Sequence, residues 1–278
     1  MKIDSHHHFW EYSLEEYGWI SDEMSKLKKD FLPHDLEIAI NDCEIDGVIS
    51  VQARQTLEET DWLLELAKNN DLIKGVVGWL PLAEAELPEL LEKYSANPYL
   101  KAVRHVIQDE PNENFILGKD FNSGISSLKN YDLTYDILIF NQHLPQTIEF
   151  VKQHPEQRFV LDHIAKPNIK ANELEPWASN IRELAKFENI WCKVSGMVTE
   201  ADLDSWTPGQ LKPYFENVLE AFGSKRLMYG SDWPVCLLAT SYRRWFDWVQ
   251  IFISELSTDE QADIMGMNAI EAYKLQEQ

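Results

Sequence analysis

Eight short apolar runs alternate with amphipathic stretches along the chain, and this alternation limits the fold more than any other feature of the sequence. Each run is mostly rich in Val, Ile or Leu and ends in polar or turn residues, a pattern typical of β-strands. The runs are 2–9, 47–53, 73–80, 100–107, 134–140, 158–164, 190–195 and 226–229. Because strands that are apolar along most of their length are usually buried on both faces, they predict a parallel sheet covered by helices.

Helical patterns fill the segments between these runs. Leu36, Ala39, Ile40 and Cys43 follow the i, i+3, i+4, i+7 spacing of one helix face. Further helical stretches are predicted around 63–67 and over 87–94, 121–128, 144–153, 176–187, 208–222 and a helical tail at 241–275. Strands that alternate with helices in this way predict parallel pairing through right-handed crossovers.

The length of the chain selects among the folds that are built in this way. At 278 residues the chain exceeds an ordinary domain, but it suits a (β/α)8 TIM barrel, which takes about 250 residues. We therefore predict a single α/β domain over 1–278. A doubly wound open sheet is the alternative, although no glycine-rich phosphate loop follows the first strand. The long segment 10–34, after the first strand, is predicted to be a lid or binding loop.

The charge of the chain argues against several classes of partner. It carries 25 basic and 47 acidic residues, a net charge of −22. Such a surface repels phosphates, so we expect no binding to nucleic acid or to anionic membranes. No run approaches the roughly 18 apolar residues of a membrane helix, and the N-terminus lacks the apolar region of a signal peptide.

The cysteines bear on the cellular compartment. Cys43, Cys192 and Cys236 are too few and too scattered for a disulfide framework or a thiolate metal site. A reducing, cytoplasmic location is therefore predicted. The sequence leaves open whether the chain forms a homo-oligomer.

Polar and titratable residues gather where the predicted strands end. In a parallel barrel the carboxyl ends of all eight strands meet at one face, and that face carries the chemistry. In chain order, the residues there are His6, His7 and His8, then Gln52, Trp79, Arg104 and His105, then Asn141 and Gln142, Asp162 and His163, Ser195, and Ser231 and Asp232. The sequence therefore predicts a polar active-site pocket at this face.

His6, His8 and Asp232 are predicted to form the centre of this pocket. His6 and His8 are two residues apart on one strand, so both side chains point to the same face. Paired imidazoles can ligate a divalent metal or donate to a developing oxyanion. The Asp232 carboxylate could take a proton from water or bind the same metal. The simpler alternatives are a pair of buried structural histidines and an Asx turn leading into Pro234.

The run that contains Asp162 and His163 offers a third catalytic group. His163 is predicted to polarise a substrate carbonyl or to protonate a leaving oxygen. Alternation along a strand predicts that Asp162 points away from His163. Lys166, which precedes a proline, is predicted to be structural and to brace a turn.

The remaining strand-end residues are predicted to bind the substrate. Either Arg104 or His105 enters the barrel, and Arg104 is preferred because its planar fork gives directional donors. The predicted contacts are hydrogen bonds from Arg104, acceptors on Gln52 and Asn141, and aromatic surface from Trp10 and Trp79. This mixture suits a small, neutral, polyhydroxylated ring, and a dicarboxylate would require a cluster of arginines that the strand ends lack.

Six short motifs together resemble the amidohydrolase-related branch of the amidohydrolase superfamily, and in particular its sugar-lactone hydrolases of the L-fuconolactonase and L-rhamnonolactonase type. The motifs lie at 3–10, 77–80, 103–105, 159–167, 192–196 and 230–235 and span nearly the whole chain in order. The resemblance implies a (β/α)8 barrel that opens a lactone. It matches His6 and His8 to the histidine pair of the first strand, Asp232 to the aspartate of the eighth, and His163 to a histidine after the sixth.

The sequence departs from the metal-rich members of that superfamily. It has no Lys or Glu at the end of strand four and no His at the end of strand five, so a two-metal site is not expected. Two alternatives remain: no required cofactor, which is slightly preferred, or one divalent metal, zinc, on His6, His8 and Asp232. The rival functions are a metal-dependent decarboxylase, another carboxylic-ester or lactone hydrolase of the superfamily, and a non-catalytic sugar-binding barrel.

Overall fold

Eight parallel strands form the centre of the protein in a computed structural model that describes residues 1–275. Each strand pairs in parallel with the next one along the chain. The strands are β1 Ile3–His7, β2 Gly47–Val51, β3 Ile73–Gly78, β4 Leu100–Val106, β5 Thr134–Leu138, β6 Phe159–Leu161, β7 Ile190–Val194 and β8 Leu227–Tyr229. Two backbone hydrogen bonds close β1 onto the segment after β8, from Asp232 N–H to the His6 carbonyl (2.8 Å) and from His8 N–H to the Trp233 carbonyl (2.7 Å). The predicted single-domain barrel architecture is confirmed.

Helices surround the strands in the order that the alternation predicts. Within the described residues they are α1 Pro33–Ile40, α2 Leu57–Asn69, α3 Leu87–Ser95, α4 Lys119–Leu128, α5 Leu144–Gln153, α6 Trp177–Leu184, α7 Pro208–Phe222, α8 Tyr242–Phe252, α9 Thr258–Ala262 and α10 Asn268–Ala272. A π-helical turn at Asp263–Met267 joins the last two. No helix of residues 1–275 is both long and apolar enough to cross a membrane.

Two departures from the predicted extents have a clear physical cause. The helical tail predicted over 241–275 is interrupted after α8, because Ser257 and Glu260 form a capping box that begins a new helix. The sixth strand, predicted to run to residue 164, ends at Leu161 because the backbone turns into the left-handed region from His163 onward. This early ending determines how the side chains after β6 point.

The apolar interior has two parts. The larger part fills the layer between the strands and the surrounding helices, where side chains such as Leu63, Phe150 and Trp177 are fully or almost fully buried. The smaller part lies inside the barrel, where the C-terminal residues Ala272 and Tyr273 pack against the inner faces of the strands. This plug seals the amino ends of the strands, so a ligand reaches the barrel interior from the carboxyl ends.

The segment 10–34 folds over the carboxyl ends of the strands. Its two ends are held together by the backbone pair of Trp10 and Phe31, and it contains a 3-10 helix at Asp22–Leu27. An ion pair joins Glu16 of this segment to Arg54 after β2, with 2.6 Å between Oε1 and Nη1. The segment is thus closed at its ends and joined to the barrel through Glu16. Its role as a lid stays a prediction.

The packing of α4 gives the first prediction. A Cβ on Gly124 would lie 2.0 Å from the backbone carbonyl oxygen of Leu82, whereas a Cβ on Gly209 in α7 would have 3.9 Å to its nearest neighbour. Alanine normally favours a helix over glycine by about 1 kcal/mol. We therefore expect Gly124→Ala to lower the free energy of unfolding by about 1–3 kcal/mol and Gly209→Ala to leave it equal or raise it. Urea unfolding followed by circular dichroism measures both, and equal midpoints for the two variants would contradict the close packing.

Candidate active site

A cavity of about 870 Å³ opens at the carboxyl ends of the strands. Its volume lies within the range of small-molecule binding sites. The barrel contributes His8, Gln52, Arg104, His163 and Asp232 to its wall. The segment 10–34 and the loops after β4 and β7 form its mouth. The face that the strand ends predict to be the pocket is therefore the face that carries the cavity.

Three ligand atoms converge at the floor of this cavity, two on the lining residues His8 and Asp232 and one on His6, which is fully buried next to them. The Nε2 atoms of His6 and His8 are 3.2 Å apart, and Asp232 Oδ1 lies 3.8 Å from the first and 3.5 Å from the second. His6 on β1 and His8 directly after it point to the same side, and His7 between them turns outward to Ser50 (Nε2 to Oγ, 3.0 Å). Asp232 joins them because the barrel closes β1 onto β8.

The spacing of these atoms fits a single divalent metal. Ligands about 2.0–2.1 Å from a tetrahedral zinc lie about 3.3 Å from one another, close to the separations observed. His8 Nδ1 lies 2.8 Å from the Val51 carbonyl oxygen, which can only accept a hydrogen bond. His8 therefore carries its proton on Nδ1 and presents the lone pair of Nε2 to the site, as a metal ligand does.

His6 is held from below by two groups of opposite charge. Its Nδ1 lies 3.1 Å from the Lys193 ammonium and 3.3 Å from Asp162 Oδ1. When Lys193 donates to Nδ1, Nε2 bears the proton and can donate to His8. When Nδ1 donates to Asp162, Nε2 is free to bind a metal. Burial, aided by the nearby Lys193, lowers the pKa of His6 well below its usual value, so the ring is neutral.

A cluster of four buried charges lies directly beneath the histidines. Arg104 Nη1 binds Asp162 Oδ2 at 2.9 Å, and the Lys193 ammonium binds Asp136 at 2.6 Å and Asp162 at 3.0 Å. Tyr273, from the C-terminal plug, donates to Asp136 at 2.7 Å. We call Arg104, Asp136, Asp162 and Lys193 the buried ionic cluster. The charges of its two cations and two carboxylates cancel, and buried charges are stable only when they are paired in this way.

Sequence reasoning missed two members of this cluster and placed a third wrongly. Asp136 and Lys193 were overlooked because they lie inside apolar strands, although a charged residue in a strand buried on both faces is itself a signal. Asp162 was predicted to point away from His163. That prediction is wrong, because β6 ends before Asp162 and strand alternation no longer applies.

The turn after β6 is left-handed over four consecutive residues, 163–166, none of them glycine. The φ angles are 52° at His163, 48° at Ile164, 61° at Ala165 and 47° at Lys166. A β-branched residue such as Ile164 rarely adopts this conformation, and strain of this kind clusters at functional sites. The turn directs both Asp162 and His163 toward the centre of the barrel.

His163 is fixed in place by its neighbours directly after β7. Its Nδ1 lies 2.8 Å from the hydroxyl of Ser195, and its ring centroid is 4.4 Å from that of His6. A Cβ on Gly196 would come within 2.7 Å of the same nitrogen, so the ring fits only beside a glycine. Burial lowers the pKa of His163 to about 4, which leaves the imidazole neutral near pH 7.

Asp232 is the carboxylate of the cavity floor. Burial by itself raises its pKa, but the nearby His163 and His8 outweigh that effect, and the pKa lies below its usual value. Its backbone is also in the left-handed region, with φ of 55°. The side chain is therefore ionised and held in one direction beside His6 and His8.

Of the two candidates on β4, Arg104 faces the interior and His105 faces the helices. His105 pairs with Glu110 at 2.6 Å and stacks on Phe115 outside the barrel. Arg104 Nη2 bonds to the Gln52 side-chain oxygen at 3.0 Å. Arg104 and Gln52 both reach the cavity wall, but their polar groups are largely engaged with each other and with Asp162.

Three predicted substrate contacts do not reach the cavity wall. Trp10 is fully buried in an aromatic cluster with Tyr17 and Phe31 that anchors the segment 10–34. Trp79 lies after β3, outside the cavity lining of the described residues. Asn141 donates to the Lys166 carbonyl oxygen at 2.9 Å and so supports the left-handed turn. As direct contacts, these three predictions require correction.

Other residues occupy the wall instead. Trp19 lines the mouth in place of Trp10, and Phe140, Lys166 and Glu200 line one side. Lys166 was predicted to be only structural, yet its side chain faces the cavity. Its position in the sequence, three residues after His163 and at the end of the same turn, could have indicated that Lys166 also faces the cavity.

The buried ionic cluster gives the second prediction. Lys193→Met would leave two carboxylates against one guanidinium in a dry interior, so we expect the free energy of unfolding to fall by about 3–5 kcal/mol. Lys186→Met, at an exposed lysine paired with Glu183, should change it by no more than about 0.5 kcal/mol. Combining Lys193→Met with Asp136→Asn should recover part of the loss. Chemical unfolding measures all three variants. An unchanged midpoint for Lys193→Met would show that the buried ionic cluster does not contribute to stability as predicted.

Comparisons with known proteins agree with this geometry. The sequence matches the amidohydrolase family over residues 3–275. An L-fucono-1,5-lactonase of Burkholderia multivorans is 38% identical over 297 aligned residues, covering 100% of this chain and 97% of that protein. An L-fucono-1,5-lactonase of Burkholderia ambifaria is 32% identical, covering 99% and 96%.

A solved structure gives the same result at the level of the fold. The crystal structure of an amidohydrolase from Burkholderia multivorans with bound zinc superposes with a TM-score of 0.96 at 37% identity, covering 99% of this chain and 100% of that one. The family match spans nearly the whole chain, and the superposition spans the barrel with its loops. The chain belongs to the amidohydrolase family.

Proposed function

We propose that this protein hydrolyses six-carbon sugar lactones, with L-fucono- and L-rhamnono-type lactones ahead of D-glucono-type, and that Asp232 activates the attacking water. The observation that carries the proposal is the convergence of Asp232 with His6, His8 and His163 at the floor of an open cavity. An ionised carboxylate beside neutral imidazoles supplies a base and hydrogen-bond donors together, which ester hydrolysis requires. The similarity to L-fucono-1,5-lactonases supports the choice of a lactone.

The charges of the cavity wall favour a neutral substrate. Arg54 and Arg104 are engaged with Glu16 and Asp162 respectively. Five acidic side chains also line the cavity, namely Glu15, Glu16, Glu23, Asp109 and Glu200. A dicarboxylate would meet repulsion from these groups, whereas a neutral lactone would not. Aromatic surface comes from Trp19 and Phe140 rather than from Trp10 and Trp79.

The reaction begins with proton transfer to Asp232. The carboxylate takes a proton from water, and the hydroxide adds to the lactone carbonyl carbon, forming a tetrahedral intermediate. The bond from this carbon to the ring oxygen then breaks, and the ring oxygen receives the proton held by Asp232 and becomes the alcohol. Because a lactone is a reactive ester, a carboxylate of lowered pKa is basic enough for this role.

His163 assists as a neutral donor. Since its ring is neutral near pH 7, it is better suited to donate a hydrogen bond to the carbonyl oxygen than to act as an imidazolium acid. A neutral histidine that polarises a carbonyl is a known catalytic device. The hydrogen bond at Ser195 keeps the ring aimed at the cavity floor.

We further propose that His6, His8 and Asp232 hold one divalent ion, zinc, which revises the slight preference for no cofactor. The convergent donors and the proton position of His8 support this, as does the zinc in the related structure. A bound zinc supplies a Lewis acid for the carbonyl oxygen or the attacking water. Asp232 approaches the histidines through Oδ1, which leaves Oδ2 for proton transfer.

The third prediction concerns substrate and metal together. A pH-indicator assay of aldonolactones should show L-fucono-1,5-lactone and L-rhamnono-lactone turned over faster than D-glucono-lactone, with a pyrone dicarboxylate inert.

Metal analysis should find about one zinc per chain, and chelation should reduce turnover until zinc is restored. Fastest turnover of the dicarboxylate would contradict the charge argument. Full activity without metal would contradict the zinc proposal and leave oxyanion binding to His163 and to His6 with its Nε2 protonated, and no turnover at all would favour a sugar-binding barrel.

The fourth prediction isolates the base. Asp232→Asn keeps the size of the side chain but removes its basicity, so kcat should fall by about 10²–10⁴-fold while the protein stays folded. Asp109→Asn, which neutralises an exposed carboxylate at the cavity mouth, is the matched control and should retain kcat. Steady-state rates should be compared between samples of equal zinc content. Near-normal turnover by Asp232→Asn would exclude Asp232 as the base.

A further inference from the structure

Lys166 occupies the end of the strained turn that also aims His163 into the cavity. Its φ of 47° is the fourth left-handed value in succession. Two hydrogen bonds hold its backbone: its N–H donates to the His163 carbonyl at 2.8 Å, and Asn141 donates to its own carbonyl at 2.9 Å. The fold therefore fixes the place from which the Lys166 side chain enters the cavity wall.

The ammonium of Lys166 is not committed to an acidic partner. Among the cations that line the cavity, Arg54 is paired with Glu16 and Arg104 with Asp162. Lys166 has no ion pair or side-chain hydrogen bond within residues 1–275, and its ammonium lies over the ring of Phe140, 5.3 Å from Nζ to the centroid. An ammonium has three donors and no acceptor, so its bonding capacity here is open to a ligand.

Phe140 and Glu200 complete this side of the cavity. Phe140 is 36% exposed, high for a large apolar side chain, and its ring lines the cavity. Glu200, after β7, lines the same cavity, and its backbone carbonyl accepts from Lys170 N–H at 2.9 Å, which ties the β6 and β7 loops together. Ammonium, carboxylate and aromatic ring are thus presented together to the same cavity.

We propose that Lys166 and Glu200 recognise the hydroxyl groups of the substrate ring against the face of Phe140, and that they determine specificity for polyhydroxylated lactones. The inference rests on the proposed function and adds to it the residues that select the substrate. A hydroxyl group both donates and accepts, so a pair of neighbouring hydroxyls can bind one donor, Lys166, and one acceptor, Glu200. The apolar C–H face of a sugar ring packs on an aromatic side chain.

The proposal separates recognition of hydroxyls from the chemistry at the ester. The ester group is common to all lactones, and His6, His8, His163 and Asp232 act on it. The hydroxyls are present only on sugar lactones. Loss of a hydrogen bond to a charged group should therefore weaken the use of a sugar lactone by about tenfold to a hundredfold and leave an unsubstituted lactone unaffected.

The experiment compares two substrates and three variants. We would measure kcat and KM for L-fucono-1,5-lactone and for δ-valerolactone, which has the same ring size and no hydroxyls, with Lys166→Met, Glu200→Gln and the control Lys170→Met. Lys170 lies four residues further on and is exposed, pairing with Asp202 at 3.3 Å. Lys166→Met and Glu200→Gln should lower kcat/KM for the sugar lactone at least tenfold, mainly through KM, and not for δ-valerolactone. Lys170→Met should change neither.

Three results would overturn the inference. Equal losses on both lactones would show that Lys166 acts on the catalytic centre, and unchanged values on both would show that it does not contact the substrate. If the unmodified protein opens no lactone, the proposed function fails, and recognition is decided by NMR titration with the 1,5-anhydroalditol of the same sugar, which keeps ring and hydroxyls but lacks the ester. Binding of this probe by the unmodified protein and Lys170→Met, but not by Lys166→Met, would uphold the inference, and equal binding by all three would overturn it.

Discussion

The ion pairs of Asp162 with Arg104 and Lys193 are the interaction on which the rest of the site depends. Asp162 is fully buried, and although burial raises its pKa, Lys193 and His6 hold that pKa well below its usual value. One carboxylate thereby joins β4, β6 and β7 at the barrel axis and supports His6 from below. Charges in such an interior are tolerated only with close partners, so each strand must hold its register for the others to be stable.

The groups that we propose to be catalytic are positioned by the same arrangement. β6 stops at Leu161, and the left-handed turn that follows directs Asp162 downward into the cluster, His163 to the cavity floor and Lys166 to the cavity wall. Left-handed backbone costs roughly 1–2 kcal/mol for each ordinary residue. The ion pairs of Asp162 and the hydrogen bond of His163 to Ser195 offset part of this cost, so the strain is retained where it places three functional side chains.

The features that follow from the periodicity of apolar residues could be predicted from the sequence. The predictions failed where the backbone departs from regular helix or strand geometry. The alternation of apolar runs and helices predicted the barrel, and the two-residue spacing of His6 and His8 placed both on one face. Asp162 was placed wrongly because no local pattern announces a left-handed turn without glycine. Trp10 was assigned to the substrate because a loop aromatic that binds sugar and one that anchors its own loop look alike in sequence, and only the packing on Tyr17 and Phe31 separates them.

Electrostatics connects this geometry to turnover. In the proposed reaction, hydrolysis converts a neutral lactone into a carboxylate beside the ionised Asp232, and His6 and His163 next to it are neutral rather than charged. The net charge of −22 acts mostly through nearby groups, because salt screens exposed charges beyond about 8 Å. The acidic side chains at the cavity mouth therefore matter more than the total, and in the proposed reaction they repel the product once Asp232 has returned its proton. Lys166 opposes this repulsion at one wall only, which suits the proposed binding of hydroxyls and the proposed release of an acid.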